Sequence, residues 1–424
     1  MSFAPVDWPT CCLLVGDALQ SGESTDSLML QNTKKTLILT AKLLVGVALM
    51  AWVLMGAHWE DFVRTRDGNN TYSIIEVCDP PGRFIVRKGF LLWSENVEVS
   101  VDQLQAVEQT DQYSDTPKQY VRPGFLRSIS RIRVWLLAAA VFVALAGVLV
   151  TALRWWMLLA IQGIGISLWE AVRLTFLGQF YSLVVPGTVG GDIVKAYYVT
   201  KHTHAKAGAI LSVFVDRVFG MSALTLVAAV AIVSALLTGL GQWSDPMLRY
   251  SATVTVCVVA AITGVMAITL SRRLRRLLHL QKIYSRLPMA RAFELLGQAA
   301  RLYRTRWRML VKVGAIMIGA PAIWVAALAL LGVSINLPIP WHSYFLYIPL
   351  IYILGSVPLT PGGAGWIEYL YLVFFAGLAN SSEILAFAIL ARGFPIAWSI
   401  PGMIVAISGP KLPKVRAMHD ELGI

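Results

Sequence analysis

The chain has 424 residues, of which 57% are hydrophobic and only 14% charged, with a formal net charge of +12 and a mean hydropathy of +0.64. Soluble domains carry about a quarter of their residues as charges, so an ordinary soluble enzyme or nucleic-acid-binding domain is excluded and a multi-pass membrane protein is indicated. The positive charge is concentrated rather than spread, so it is read as a topology signal and not as a nucleic-acid footprint.

Residues 1–33 hold no signal-peptide pattern, because the apolar stretch Cys11 to Val15 is too short and no basic region precedes it. They are expected to form a cytoplasmic tail. An uncharged run over 37–56 then predicts a first transmembrane helix, within a segment 34–56 that starts with Lys34 and Lys35. The following segment, 57–130, changes period. Tyr72 to Val77, Arg83 to Arg87 and Val97 to Val101 alternate as strands do, and Asp79-Pro80-Pro81-Gly82 supplies a turn between the first two. Its loop, 57–126, carries 11 acids against 7 bases, which places a small β-containing module outside, with a polar tether from Gln109 to Arg122. Such a module serves as a lid and spacer or as a docking surface.

Further spans are predicted at 134–153, 218–240, 251–270, 313–333 and 384–408, the last containing Arg392. Two other apolar regions, 168–206 and 342–381, are interrupted by Gly and Pro. Between Arg272 and Lys312 stand 12 Lys or Arg and one acid, Glu294, which puts that loop in the cytoplasm. Its alternation of leucines with arginines also suits a helix lying on an anionic leaflet. The tail 411–424, with Lys411, Lys414 and Arg416, is assigned to the same side.

These assignments agree in parity when each interrupted region enters and leaves on one side of the membrane. The predicted fold is therefore all-α and polytopic, with about six full spans and two re-entrant helical hairpins, at 168–206 and 342–381, facing opposite sides as an inverted repeat. The membrane domain runs over 131–410, and both termini are cytoplasmic in a cell inner membrane. Counting the hairpins as complete spans gives the alternative, 8 to 10 crossings.

The two interrupted regions read as copies of one device. In the first, Pro186-Gly187 and Gly190-Gly191-Asp192 precede Arg217; in the second, Pro361-Gly362-Gly363 and Gly365 precede Glu368 and then Arg392. The carboxylate-to-arginine separations are 25 and 24 residues. Broken helices persist at membrane depth only where protein or a water-filled cavity lines the exposed backbone, and glycines at the tip free backbone N–H groups for an anionic ligand. Ionisable residues there cost roughly 2.5–3.5 kcal/mol each on insertion scales, so they are paired or functional. Asp192, Arg217, Glu368 and Arg392 either pin each hairpin to its following helix or handle a lipid headgroup. Asp216 is read as a neutraliser of its neighbour Arg217, and Lys195 as an interfacial side chain.

No cofactor or metal is expected. His202 and His204 lack companion ligands, and no hydrolase, kinase or nucleotide-binding motif is present. Cys11, Cys12, Cys78 and Cys257 fall in three compartments and imply no disulfide framework.

Phe180 to Asp192, Val215-Asp216-Arg217 and Pro358 to Glu368 resemble motifs of the lysylphosphatidylglycerol synthase transmembrane, or flippase-like, family over about 130–410. The resemblance implies a membrane domain that moves aminoacylated phosphatidylglycerol between leaflets, while the soluble synthase domain of two-part members has no counterpart in this sequence. The expected function is translocation of a lipid with an anionic or zwitterionic headgroup, without catalysis. Substrate contacts are expected at Asp192, Arg217, Glu368, Arg392, Gly187, Gly190, Gly191, Gly362, Gly363 and Gly365, with Pro186 and Pro361 shaping the tips. The alternative is a membrane scaffold for a lipid- or glycan-synthesising enzyme, and an intramembrane enzyme using Asp192 and Glu368 comes third.

Overall fold

A computed structural model describes residues 25–55, 58–66, 71–77, 83–88, 95–104, 121–184, 190–201, 206–270, 307–357 and 359–408. The first hairpin tip with Pro186 and Gly187, the pair His202 and His204, most of the basic loop, both tails and Cys11, Cys12 and Cys78 lie outside these residues. So do the Asp79–Gly82 turn and most of the tether.

Eleven α-helices are described: α1 (Thr25–Met55), α2 (Phe125–Ser130), α3 (Val134–Ile161), α4 (Leu168–Val184), α5 (Gly190–Lys201), α6 (Lys206–Leu237), α7 (Pro246–Leu270), α8 (Trp307–Ser334), α9 (Trp341–Gly355), α10 (Trp366–Phe374) and α11 (Ser381–Ser408). Among them α3, Val215–Leu237 of α6, Pro246–Gly264 of α7 and α11 are long and apolar enough to cross a membrane, and shorter apolar stretches lie at Thr40–Met55 and Ile318–Ser334. Each coincides with a predicted span. The protein is a mostly helical, membrane-embedded chain.

What its surface exposes agrees with that. Trp135 and Phe142 on α3, Val230, Val233 and Leu237 on α6, and Ile396, Ile400, Ile404 and Ile407 on α11 point outward. The α11 residues recur every three or four positions, as an apolar stripe on one helix face does, and bands of this kind belong against lipid rather than water.

Inside, α3 and α8 pack against each other more extensively than any other pair. Small residues permit it: Gly147 of α3 meets α8 near Ala320, where a Cβ would lie 3.5 Å from Ile323, and Ala140 and Ala144 are buried in one core with Ala327 and Leu331 of α8. Membrane helices, which gain little from hydrophobicity among lipid tails, use such small-residue seams to approach closely. Around this pair α4 packs on α11 and α9 packs on α6. The α4–α11 crossing is tight, since a Cβ at Gly402 would fall 2.0 Å from the Phe176 carbonyl. One core joins α9, α10 and α11 to α3, α6 and α8 through Tyr344, Tyr347, Tyr371, Phe374 and Phe387. A second surrounds α4 and α5 with Trp155, Leu174, Leu177 and Val194.

The β module is a four-stranded antiparallel meander, β1 (Phe62–Arg64), β2 (Thr71–Val77), β3 (Arg83–Lys88) and β4 (Glu95–Ser100), paired in chain order. Phe84 and Val86 of β3 alternate inward onto Val63, Val99 and Leu104, as the two-residue strand period requires. β2 to β4 match the predicted strands; β1, at three residues, was too short to announce itself. The module is tied to the helices. Phe62 and Arg122 exchange backbone hydrogen bonds, Asp61 accepts from the Gly124 N–H and pairs with Arg127, Arg122 donates to Asn380 Oδ1 at 2.9 Å, and the His58 N–H donates to Ser382 Oγ at 3.0 Å.

Helix α1 has a specific place. It lies across the second interrupted region, where Gly46 meets Thr360 and where a Cβ at Gly365 would stand 2.8 Å from Leu49 Cβ. Trp52 contacts Tyr369, and Val53 packs with Phe125 and Leu385.

Candidate functional site

Both carboxylates sit in the first turn of the helix that follows a tip. Asp192 is the third residue of α5, which begins at Gly190, and Glu368 is the third of α10, which begins at Trp366. The arginines match as well. Arg217 is the twelfth residue of α6, counting from Lys206, and Arg392 is the twelfth of α11, counting from Ser381. A carboxylate in the first turn faces the positive end of the helix dipole, and in each case an arginine of the next helix engages it.

The pairs themselves form. Arg217 Nε donates to Asp192 Oδ2, and Arg392 Nε donates to Glu368 Oε1. Their surroundings differ. Glu368 is 1% exposed and Arg392 23%, whereas Asp192 is 13% exposed and Arg217 52%. Arg392 Nη2 also donates to Glu368 Oε2 and to the Gly363 carbonyl, both at 3.0 Å, while Nη1 reaches the Gly362 carbonyl at 3.2 Å. Glu368 Oε2 accepts from the Gly365 N–H at 2.8 Å, which is half of a capping box with the N3 residue reaching back to the N-cap. The second tip is therefore knotted onto α11. Its backbone needs glycine: Gly362, Gly363 and Gly365 have φ of +59°, +69° and +78°, where a side chain is strained.

In the first region, α5 closes onto α4 through Gly191. A Cβ there would fall 1.9 Å from the Gly178 carbonyl and 2.2 Å from Ser182 Oγ, so only glycine permits this approach. Gly190 opens α5, Pro361 opens the short 3₁₀ turn Pro361–Gly363, and Gly187 and Pro186 lie outside the described residues.

Two readings of neighbouring residues change. Asp216 does not serve merely to neutralise Arg217; its Oδ1 accepts from Arg154 Nε at 2.7 Å, with both side chains mostly buried. Arg154 was passed over because α3 runs to Ile161, eight residues beyond the predicted end of the span at 153. A signal existed: Ala140, Gly147 and Arg154 are spaced by seven, so the arginine lies on the stripe that faces the protein. Lys195 is not an interfacial lysine reaching for water. Its ammonium stands 5.3 Å from the centroid of the buried Trp155 ring, and its stem runs over Gly178, where a Cβ would come within 2.5 Å of Lys195 Cε.

The sequence-predicted residues thus form two clusters. One joins Asp192 and Arg217 with Arg154, Lys195 and Asp216 among α3, α5 and α6. The other joins Glu368, Arg392, Gly362, Gly363 and Gly365 between the second tip and α11. No group of three or more potential metal ligands occurs among the described residues.

No curated protein matches the chain. The family described as the lysylphosphatidylglycerol synthase TM region matches residues 124–402, which cover α2 to most of α11 and both clusters. With well over half its length so matched, the chain belongs to the lysylphosphatidylglycerol synthase TM region family, whose members are membrane proteins of lipid synthesis or translocation.

Proposed function

We propose that this protein is a lipid translocase that passes a polar-headgroup lipid between the leaflets of the cell inner membrane, with both termini in the cytoplasm. In this reading α4–α5 and α9–α10 are re-entrant hairpins of opposite orientation. The observation that carries it is the matched placement of the two ion pairs, third residue of one helix and twelfth residue of the next, in two regions far apart in the sequence. The exchanged packing, α4 on α11 and α9 on α6, is what a twofold relation between two repeats produces. Paired charges beside glycine tips suit a site that receives a headgroup and returns it.

The two pairs have unequal roles. Glu368–Arg392 is enclosed and shares its guanidinium with two tip carbonyls, so it holds the second hairpin in shape. Asp192–Arg217 is half open on the arginine side, so an incoming phosphate competes for Arg217 there. The protein acts by binding and release, without bond chemistry. Purified protein in liposomes containing a fluorescent phospholipid, with an impermeant quencher added outside, tests this: quenching of more than the outer-leaflet half is expected, and quenching that stops at half for every headgroup refutes it.

A further inference from the structure

The first cluster carries unequal charge. Arg154, Lys195 and Arg217 supply three cations, and Asp192 and Asp216 supply two carboxylates, each already engaged by an arginine. Lys195 is left over. Among the described residues it forms no ion pair or hydrogen bond; it shares the field of Asp192 and Asp216 with the two arginines, and its ammonium stands over the face of Trp155. That ring is itself buried, and its Nε1–H has no acceptor among the described residues. The geometry around the lysine is built rather than incidental, because Gly178 clears the path for its stem. The Arg154 guanidinium has Gly220 opposite it, where even a Cβ would approach no nearer than 3.7 Å. The position is about two helical turns inside the end of α3, since Arg154 precedes Ile161 by seven residues, or roughly 10 Å of rise. The second cluster shows no such excess, because Glu368 and Arg392 balance one another.

An uncompensated cation inside a membrane protein is a place for an anion. We infer that Lys195, beside Arg217, is the contact for the phosphate of a monoanionic phospholipid headgroup, and that the first cluster selects such lipids over zwitterionic ones. This rests on the translocase reading and names its substrate class. One phosphodiester charge brings the cluster to neutrality. A zwitterionic headgroup leaves its own cation to be accommodated beside three others, and the second, balanced cluster offers it no free carboxylate.

The test is lipid retention by the full-length protein, purified in an uncharged detergent and equilibrated with equimolar phosphatidylglycerol and phosphatidylcholine, with bound lipid counted by native mass spectrometry. The basic stretch from Arg272 to Arg308 stays intact in every variant, so its general attraction for anionic lipid cancels. Wild type is expected to retain phosphatidylglycerol about tenfold over phosphatidylcholine, a difference of about 1.4 kcal/mol. Lys195→Gln should bring the ratio near one, and Lys195→Arg should keep most of it. Inorganic phosphate at millimolar concentration forms a separate arm and should not strip the lipid. An unchanged ratio in Lys195→Gln overturns the inference, as does a ratio near one in wild type. Complete displacement by inorganic phosphate would assign the site to a free anion instead and likewise overturn it. Because retention is read without transport, a protein that selects phosphatidylglycerol through Lys195 yet moves no lipid would sink the translocase reading alone.

Discussion

Removing Arg392 leaves Glu368 as a carboxylate that is 1% exposed, with the Gly365 N–H, at 2.8 Å, the one hydrogen-bond donor left to it among the described residues. A buried charge stripped of its partner costs about 3–5 kcal/mol. The double variant, Glu368→Gln with Arg392→Gln, has no buried charge, and the new amide oxygen can still accept from Gly365. Both variants lose the donor to the Gly362 and Gly363 carbonyls, about 1 kcal/mol each, so that loss cancels between them. Arg392→Gln should therefore be the less stable of the two, by about the 3–5 kcal/mol of the stranded carboxylate. The first pair should respond more weakly: Arg217 is 52% exposed, and half-open ion pairs contribute about 0–1 kcal/mol. Unfolding in mixed micelles, driven by increasing dodecyl sulfate and followed by circular dichroism, measures all of these. Arg392→Gln as stable as wild type, or a double variant less stable than either single one, would refute the assignment of Glu368 and Arg392 as the structural clamp.

Gly365→Ala should loosen α1 from the second tip, because the new Cβ meets Leu49 and Met50 at φ +78°; a loss of about 1–3 kcal/mol is expected in the same unfolding assay. Gly191→Leu should insert normally yet abolish transport, since α5 can no longer close on Gly178 and Ser182, and normal transport in that variant would reduce the approach to a structural detail. A cysteine at Gln103 should react with an impermeant thiol reagent added to intact cells while one at Arg291 is protected; equal labelling would break the topology. Burial holds the His58 imidazole below its ordinary pKa of 6.5, so the folded protein favours the neutral ring. The stability this gives is complete above pH 6.5 and is lost as pH falls, while the unfolded chain takes up a proton that the folded one resists. Docking of the β module should weaken on acidification below that value, and His58→Gln should flatten the dependence.

Which features the sequence disclosed follows from how local their signals are. Asp192, Arg217, Glu368 and Arg392 stood out because charges are rare in apolar surroundings, and the tip glycines because helices seldom tolerate them in clusters. β2 to β4 were legible from two-residue alternation, whereas Phe62–Arg64 is too short to show a period. The Arg154–Asp216 pair was missed because its partners lie 62 residues apart on α3 and α6, and adjacency to Arg217 offered Asp216 a nearer partner. Lys195 was misread for a similar reason: nothing near it in sequence reveals that Trp155 and Gly178 surround its stem. The seat of α1 on the second tip depends on Gly46 and Gly365, more than 300 positions apart, and neither carries any mark of the other.

Translocation by the Asp192→Asn, Arg217→Gln double variant, measured beside wild type in the liposome quenching assay at equal protein content, addresses the proposed role of the open pair most directly. A variant that inserts and unfolds nearly as wild type does, yet leaves inner-leaflet lipid unquenched, is the expected result. Translocation at the wild-type rate would contradict it, and would leave Asp192 and Arg217 as no more than a pin between α5 and α6.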